Sequence, residues 1–343
     1  MSIMNDYSPK ERLLRVLYRQ KTDRPPVICP GGMMNAAIVD IMNRTGHTLP
    51  EAHRESKLMS ELAVDIHQYT GFENIGVPFC MTTEAEALGS GIDFGTLACE
   101  PKIAREVFSS VTQVVFHDPE ILAGSERLAR ITGAIEQLAR ENPEVPVLGN
   151  LTGPMSTAAS VVDPITILKE LRKDPDNTHR VIDYVSDFLI AYARRMVEHG
   201  ATAISIADPT ATGEILGPKM FAEYAVRYLN KIIQAIHGLE VPVILHICGN
   251  LGSVKHLIPG IGANAVSTDA LVNLKRLKEE YPGLVTMGNI STYLLEWGNE
   301  EKVAEQTARL IRDGVDIIAP ACGLSTTTSL RNITALTAAV KEG

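Results

Sequence analysis

The chain has 343 residues, 45% of them hydrophobic and only 5% aromatic, the makeup of a helix-rich α/β enzyme with a large aliphatic core. Lys and Arg total 32 against 41 Asp and Glu, giving a net charge of −9 with no basic run, so nucleic acid is not an expected partner. Five cysteines (Cys29, Cys80, Cys99, Cys248, Cys322) are too few and too scattered for a secreted disulfide framework, which turns attention to metal or redox use. Met1 to Arg15 is charged throughout and lacks the apolar core of a signal peptide, and no later stretch has the uncharged length of a membrane span. A cytoplasmic protein without membrane contact is expected.

Short β-branched runs alternate with longer segments of helical period, the pattern of βα units in a parallel sheet. In chain order the runs are Val27 to Pro30, Asn74 to Val77, Val145 to Gly149, Ala203 to Ala207, Val243 to Ile247, Ala265 to Thr268, Val285 to Gly288 and Asp316 to Pro320. Several are unbroken apolar runs, as strands covered on both faces require. Helical spacing marks Asp176 to His199, Pro218 to His237, Glu300 to Asp313 and Thr326 to Lys341. Pro218 suits a first helical turn, and Gly200, Gly238 and Gly314 stand where a left-handed residue often ends a helix. Ser90 to His117 breaks the alternation, because Val111 to Phe116 reads as an additional strand. Eight runs predict one (β/α)8 TIM barrel spanning residues 1–343, with chemistry at the carboxyl ends of the strands. Cys80, Asn150, Thr152, Asp208, His246, Cys248, Asp269, Asn289 and Cys322 fall there.

The sharpest local signal is Leu245-His246-Ile247-Cys248-Gly249-Asn250, an apolar strand running into a His-x-Cys pair. Residues two apart on a strand share a face, so both side chains can address one ion while Ile247 packs on the other side. Cys322, in Ala319-Pro320-Ala321-Cys322-Gly323, ends the eighth run at the same rim. Two thiolates and an imidazole suit Zn²⁺, and three ligands leave a fourth position open for a substrate. The plainer readings are a core histidine bonded to a carbonyl and small buried thiols.

At these residues the chain resembles the methylcobamide:coenzyme M methyltransferases of the uroporphyrinogen decarboxylase superfamily. The likeness runs nearly end to end. It rests on Thr22-Asp23-Arg24-Pro25-Pro26-Val27 with the helix before it, Glu86-Ala87-Leu88-Gly89, Asn150-Leu151-Thr152-Gly153-Pro154, Ile206-Ala207-Asp208-Pro209, the His246 motif, Gly288-Asn289 and the Cys322 motif. The resemblance implies a barrel with an N-terminal helical extension, zinc held by His246, Cys248 and Cys322, a corrinoid-protein partner carrying the methylcorrinoid, and a small thiol, coenzyme M above all, as acceptor. The decarboxylase branch carries an arginine-rich loop after the first strand, where this chain has Pro30-Gly31-Gly32-Met33-Met34, and an essential aspartate where this chain has Cys80. Decarboxylation of a polycarboxylate is therefore the poorer reading, although a shared fold leaves function open. Two further readings stay open at this point: a related corrinoid enzyme with another methyl donor or acceptor, and a barrel whose zinc is purely structural.

Zinc would keep the acceptor thiol as thiolate, ready to attack a corrinoid-bound methyl group. Asp269 is read either as a fourth ligand or proton acceptor, or as a cap for the segment from Leu271. Asp208 is read either as orienting His246 or as a turn residue. Asn150, Thr152 and Asn289 are candidate anchors for the far end of the thiol, or ordinary turn formers, and Cys80 lines the pocket. Cys29 and Cys99 receive no role, and the remaining histidines read as surface residues.

Overall fold

The computed structural model describes residues 7–342. Residues 1–6 of the charged opening stretch lie outside the described residues, and the rest leads into a helix at Pro9–Leu17, capped by Ser8 with Pro9 in its first turn. No helix among the described residues is long and apolar enough to cross a membrane.

Among the described residues nine strands follow in chain order: β1 (Ile75–Val77), β2 (Gly91–Asp93), β3 (Lys102–Arg105), β4 (Val147–Thr152), β5 (Ala203–Ala207), β6 (Val243–Ile247), β7 (Ala265–Thr268), β8 (Thr286–Ile290) and β9 (Ile317–Pro320). Seven form one parallel sheet in the order β1-β4-β5-β6-β7-β8-β9, so each new strand adds beside its predecessor, as right-handed βα crossovers dictate. The central strands are buried at every position, which explains their unbroken apolar runs.

The first expected strand, Val27 to Pro30, is reduced to a bridge between Val27 and Ile318, yet it fills the gap between β9 and β1. The Ile28 amide donates to the Ile318 carbonyl at 3.0 Å, and the Ile318 amide to that of Pro26 at 2.9 Å. On the other side Asn74 replaces the ladder with its side chain, accepting from the Cys29 amide (2.8 Å) and donating to the Cys29 carbonyl (2.9 Å). Only glycine fits at position 76, because a Cβ there would overlap the Pro30 carbonyl. An ion-pair network anchors the same segment. Arg12, in the first helix, pairs with Asp23 and Glu73, Arg24 pairs with Glu73, and Glu73 accepts from the Val27 amide. That network accounts for Thr22-Asp23-Arg24 beside the barrel opening. The result is a closed α/β barrel with the helix Pro9–Leu17 as its N-terminal extension, and helices Val39–Thr45 and Ser56–Thr70 cross from the first segment to β1.

Four expectations need correction. Val111 to Phe116 is no strand: Val111–Gln113 forms a short 3-10 turn capped by Ser110, and the excursion's strands are the antiparallel pair β2 and β3. Valines favour strands only where a neighbouring strand offers an edge, and here the Val111 amide is claimed by Glu170. Gly200 and Gly314 are left-handed at their helix ends, whereas Gly238 has φ −61 and simply continues the turn after Arg227–His237. The expected Pro218 to His237 helix starts where it should, because Gly217 (φ 66) interrupts the helical path, but Phe221–Val226 is a π segment. The last helix begins at Leu330, four residues later than Thr326.

Candidate metal centre

β6 is aliphatic as far as Leu245, so His246 is carried inward at its end, 1% exposed, with Cys248 two residues on and facing the same way. Cys322 follows β9, whose closure onto the first segment brings it to the same rim. His246 Nε2 lies 3.1 Å from Cys248 Sγ, and Cys248 Sγ lies 3.9 Å from Cys322 Sγ. All three donor atoms fall within 4.8 Å of one another. A tetrahedral zinc with bonds of about 2.3 Å to sulfur and about 2.0 Å to nitrogen sets two sulfurs about 3.8 Å apart and a nitrogen about 3.5 Å from a sulfur. The donor set therefore fits zinc in both chemistry and spacing. The hydrogen bond shared by the two cysteines, together with burial, pushes the Cys248 thiol up, while the same bond, with His246 and the Gly323 amide adding to it, holds Cys322 below the usual thiol range.

The orienting partner of His246 is Ser267, not Asp208. Ser267 Oγ stands 2.9 Å from His246 Nδ1, which leaves Nε2 toward the cysteines. Ser267 is the residue directly across from His246 in the β6–β7 register, so strand alignment was the signal that would have found it. Asp208 accepts from the Met155 amide (3.0 Å), the Ser156 amide (2.8 Å) and the Ser156 hydroxyl (2.6 Å), capping the helix Pro154–Val161 while burial raises its carboxyl to about 6. Asp269 accepts from the Leu271 amide at 3.0 Å, the turn role anticipated, though the helix itself starts at Leu274 with Asn273 as its cap. Its charge nonetheless reaches Cys248.

The amide nitrogens of Asn150 and Asn289 and the Thr152 hydroxyl bond within the protein itself. Asn150 donates to the carbonyls of Pro30 (2.8 Å), Val77 (3.1 Å) and Leu148 (3.3 Å), Thr152 donates to Glu84 (2.9 Å), and Asn289 donates to the carbonyls of Asp269 and Val272 (2.8 Å each). All three lie inside strands that run two or three residues longer than their aliphatic stretches. Cys80 Sγ receives Arg127 Nη2 at 3.1 Å, and Arg127 also pairs with Glu86. Cys29 is buried with its thiol on the Met34 carbonyl, and Cys99 is exposed. His53 is no surface residue: it is 1% exposed, edge-on to Phe79, with neither ring nitrogen bonded.

One residue that the sequence does not single out faces the metal donors. Met33 Sδ lies 3.8 Å from Cys248 Sγ. Its loop is the tight turn at Gly31 and Gly32, both with positive φ, closed by reciprocal bonds between Gly31 and Met34 and held by the Gly32 amide on the Pro78 carbonyl.

A methylcobamide:CoM methyltransferase of Methanosarcina acetivorans is 34% identical over 336 residues, covering 96% of each chain. A methylcobamide:CoM methyltransferase of Methanosarcina barkeri is 29% identical over 346 residues, covering 99% of each. The solved structure of a methyltransferase from Methanosarcina mazei superposes with a TM-score of 0.92 at 29% identity, covering 98% of this chain and 99% of that one. Residues 8–343 match the uroporphyrinogen decarboxylase (URO-D) family, and the chain belongs to that family.

Proposed function

We propose that this protein is a methyltransferase that moves a methyl group from a methylated corrinoid to a thiol, with coenzyme M as the acceptor and a corrinoid protein as the partner presenting the methyl donor. The observation that carries the reading is the convergence of His246, Cys248 and Cys322 from two distant strand ends, in a chain similar over nearly its whole length to methylcobamide:CoM methyltransferases. Zinc is the metal the donor set favours, and what it supplies when bound is an acceptor sulfur kept as thiolate at neutral pH. His246, Cys248 and Cys322 would hold it.

The protein's own residues do the rest. Ser267 fixes the imidazole through Nδ1, so that Nε2 alone is offered to the metal. Asp269, whose charge is felt at Cys248, is the group we assign to take the thiol proton. The thiolate then attacks the methyl carbon in line. The S–C bond forms, the C–Co bond breaks, and cobalt keeps both electrons, leaving cob(I)amide and a thioether. His246 is buried and both cysteines are half-buried on the barrel rim, which limits the access of water that would compete for the methyl group. A polycarboxylate substrate fits poorly, since the loop Pro30-Gly31-Gly32-Met33-Met34 offers it no cation.

The test mixes the purified full chain with methylcobalamin and a panel of thiols, following the loss of methyl-cobalt absorbance. Turnover with coenzyme M above the other thiols is the expected result, together with about one zinc per chain by metal analysis. No thiol-dependent demethylation, in a preparation carrying full zinc, would refute the reading.

A further inference from the structure

A proton acceptor works only where its carboxyl is held in place. Resting on the role given to Asp269 above, we infer that Asn289 is its positioning residue: the Asn289 amide clamps the turn after β7 and so fixes the Asp269 carboxyl beside Cys248. Strand register sets these residues side by side. His246 on β6 pairs with Ser267 on β7, and Ser267 pairs with Met287 on β8. Two residues further along come Cys248, Asp269 and Asn289, and residues two apart on a strand share a face. Cys248 and Asp269 thus repeat, one layer nearer the rim, the meeting of His246 with Ser267. The charge of Asp269 is felt at Cys248, as this placement requires.

At that layer the β7–β8 ladder has ended, with Ser267 and Met287 its last pair. Asn289 takes over from the backbone. Its Nδ2 donates one hydrogen to the Asp269 carbonyl and the other to the Val272 carbonyl, each at 2.8 Å. Asp269 and Val272 are the two ends of the turn, which the Val272 amide closes on the Asp269 carbonyl at 3.1 Å. The turn has little packing of its own to hold it, because Ala270 and Leu271 are exposed. The clamp is better anchored: Asn289 is 5% exposed, and Gly288 before it has φ 126, where a side chain would press on the Thr268 carbonyl at 3.3 Å.

The bonding leaves the Asn289 amide no donor for a substrate and leaves Asp269 an oxygen for the reaction. An amide nitrogen carries two hydrogens, and both are taken. The Leu271 amide holds Asp269 Oδ1 at 3.0 Å, so Oδ2 is the oxygen left to take the thiol proton. The S–H bond breaks, sulfur keeps the electron pair, and an O–H bond forms at Oδ2. Asp208, the other carboxyl whose charge is felt at Cys248, has both oxygens occupied by the Met155 and Ser156 amides.

A double-mutant cycle on the full zinc-loaded chain tests this, with methylcobalamin and coenzyme M as substrates. Asn289→Ala should lower kcat by about 10- to 100-fold, the usual cost of removing an orienting partner, while zinc content stays full and the KM for coenzyme M stays within about twofold of wild type. Asn289→Asp, which keeps the shape and loses both donors, should behave likewise. Asp269→Asn should lower kcat at least as far, and the double variant Asp269→Asn with Asn289→Ala should be no slower than Asp269→Asn, because Asn289 acts through that carboxyl. Amide hydrogen exchange reads the clamp itself: Leu271 and Val272 should exchange faster in Asn289→Ala than in wild type. Full kcat or lost zinc in Asn289→Ala, losses that multiply in the double variant, or unchanged exchange at Leu271 and Val272 would overturn the inference and leave the proposed activity standing. A wild-type chain that transfers no methyl group at full zinc would overturn both.

Discussion

Replacing Asn150 by alanine separates two roles that look alike in the sequence. As a substrate anchor, its loss would weaken thiol binding in a protein of unchanged stability. Its hydrogen bonds argue otherwise: the amide ties the Pro30 carbonyl at 2.8 Å and the Val77 carbonyl at 3.1 Å, joining the first segment, β1 and β4 where the barrel closes. Each neutral hydrogen bond contributes about 1 kcal/mol, and each carbonyl left buried without a partner costs about 1–3 kcal/mol. The side chain also fills the space beneath Gly31 and Gly32, at 4% exposure. Together these give an expected loss of about 2–4 kcal/mol. Urea unfolding of the apo and zinc-loaded proteins measures it, and zinc competition with a chelator reports whether the turn bearing Met33 has loosened. A loss below about 0.5 kcal/mol, the range of a surface substitution, accompanied by a raised KM for the thiol, would refute the structural role and restore the anchor.

His53 should make the protein acid-sensitive in a window of its own. Burial and the neighbouring Arg127 lower its pKa from 6.5 to about 3, so between those values the unfolded chain binds a proton that the folded chain does not. Stability is therefore complete above pH 6.5 and falls as the pH drops toward 3, by up to about 1.4 kcal/mol per pH unit. His67, lowered mainly by burial, adds to the same slope. The difference in denaturant midpoint between wild type and His53→Leu should shift in favour of the variant as the pH falls from 7 through 6 to 5, and a wild-type curve flat between pH 7 and 5 would contradict the assignment. Ser267→Ala should weaken zinc binding by about 10- to 100-fold with the fold intact, read by chelator competition and circular dichroism, because His246 loses the partner that selects its tautomer. Cys322→Ala should lose both zinc and methyl transfer, whereas Cys29→Ala, whose thiol serves only the Met34 carbonyl, should keep its zinc. Full metal in the first variant would break the proposed ligand set.

The barrel was legible in the sequence because its strands are covered on both faces and so appear as aliphatic runs that no other element explains. The His-x-Cys pair was legible for the same reason: a two-residue spacing on a strand fixes a shared face before any fold is known. Cys322 could be joined to it because closure of a barrel, and not chain separation, sets the distance between strand ends.

The remaining features depend on contacts between segments far apart in the chain. Asn150 and Pro30 are 120 residues apart, and nothing in the local pattern distinguishes an amide that clamps two carbonyls from one that greets a substrate. That Ser267 meets His246 depends on register between β6 and β7, where a shift of one residue would have put Val266 or Thr268 opposite the ring, while Asp208 is taken up by the helix Pro154–Val161. His53 sits among polar neighbours and looks exposed, but the short turn Glu51–His53 tucks it beneath Arg127, whose Nε donates to its carbonyl. Met33 carries no motif at all. Its sulfur reaches Cys248 only because two glycines, an asparagine from β4 and the glycine after Cys322 position its turn, and that meeting exists only in the closed barrel.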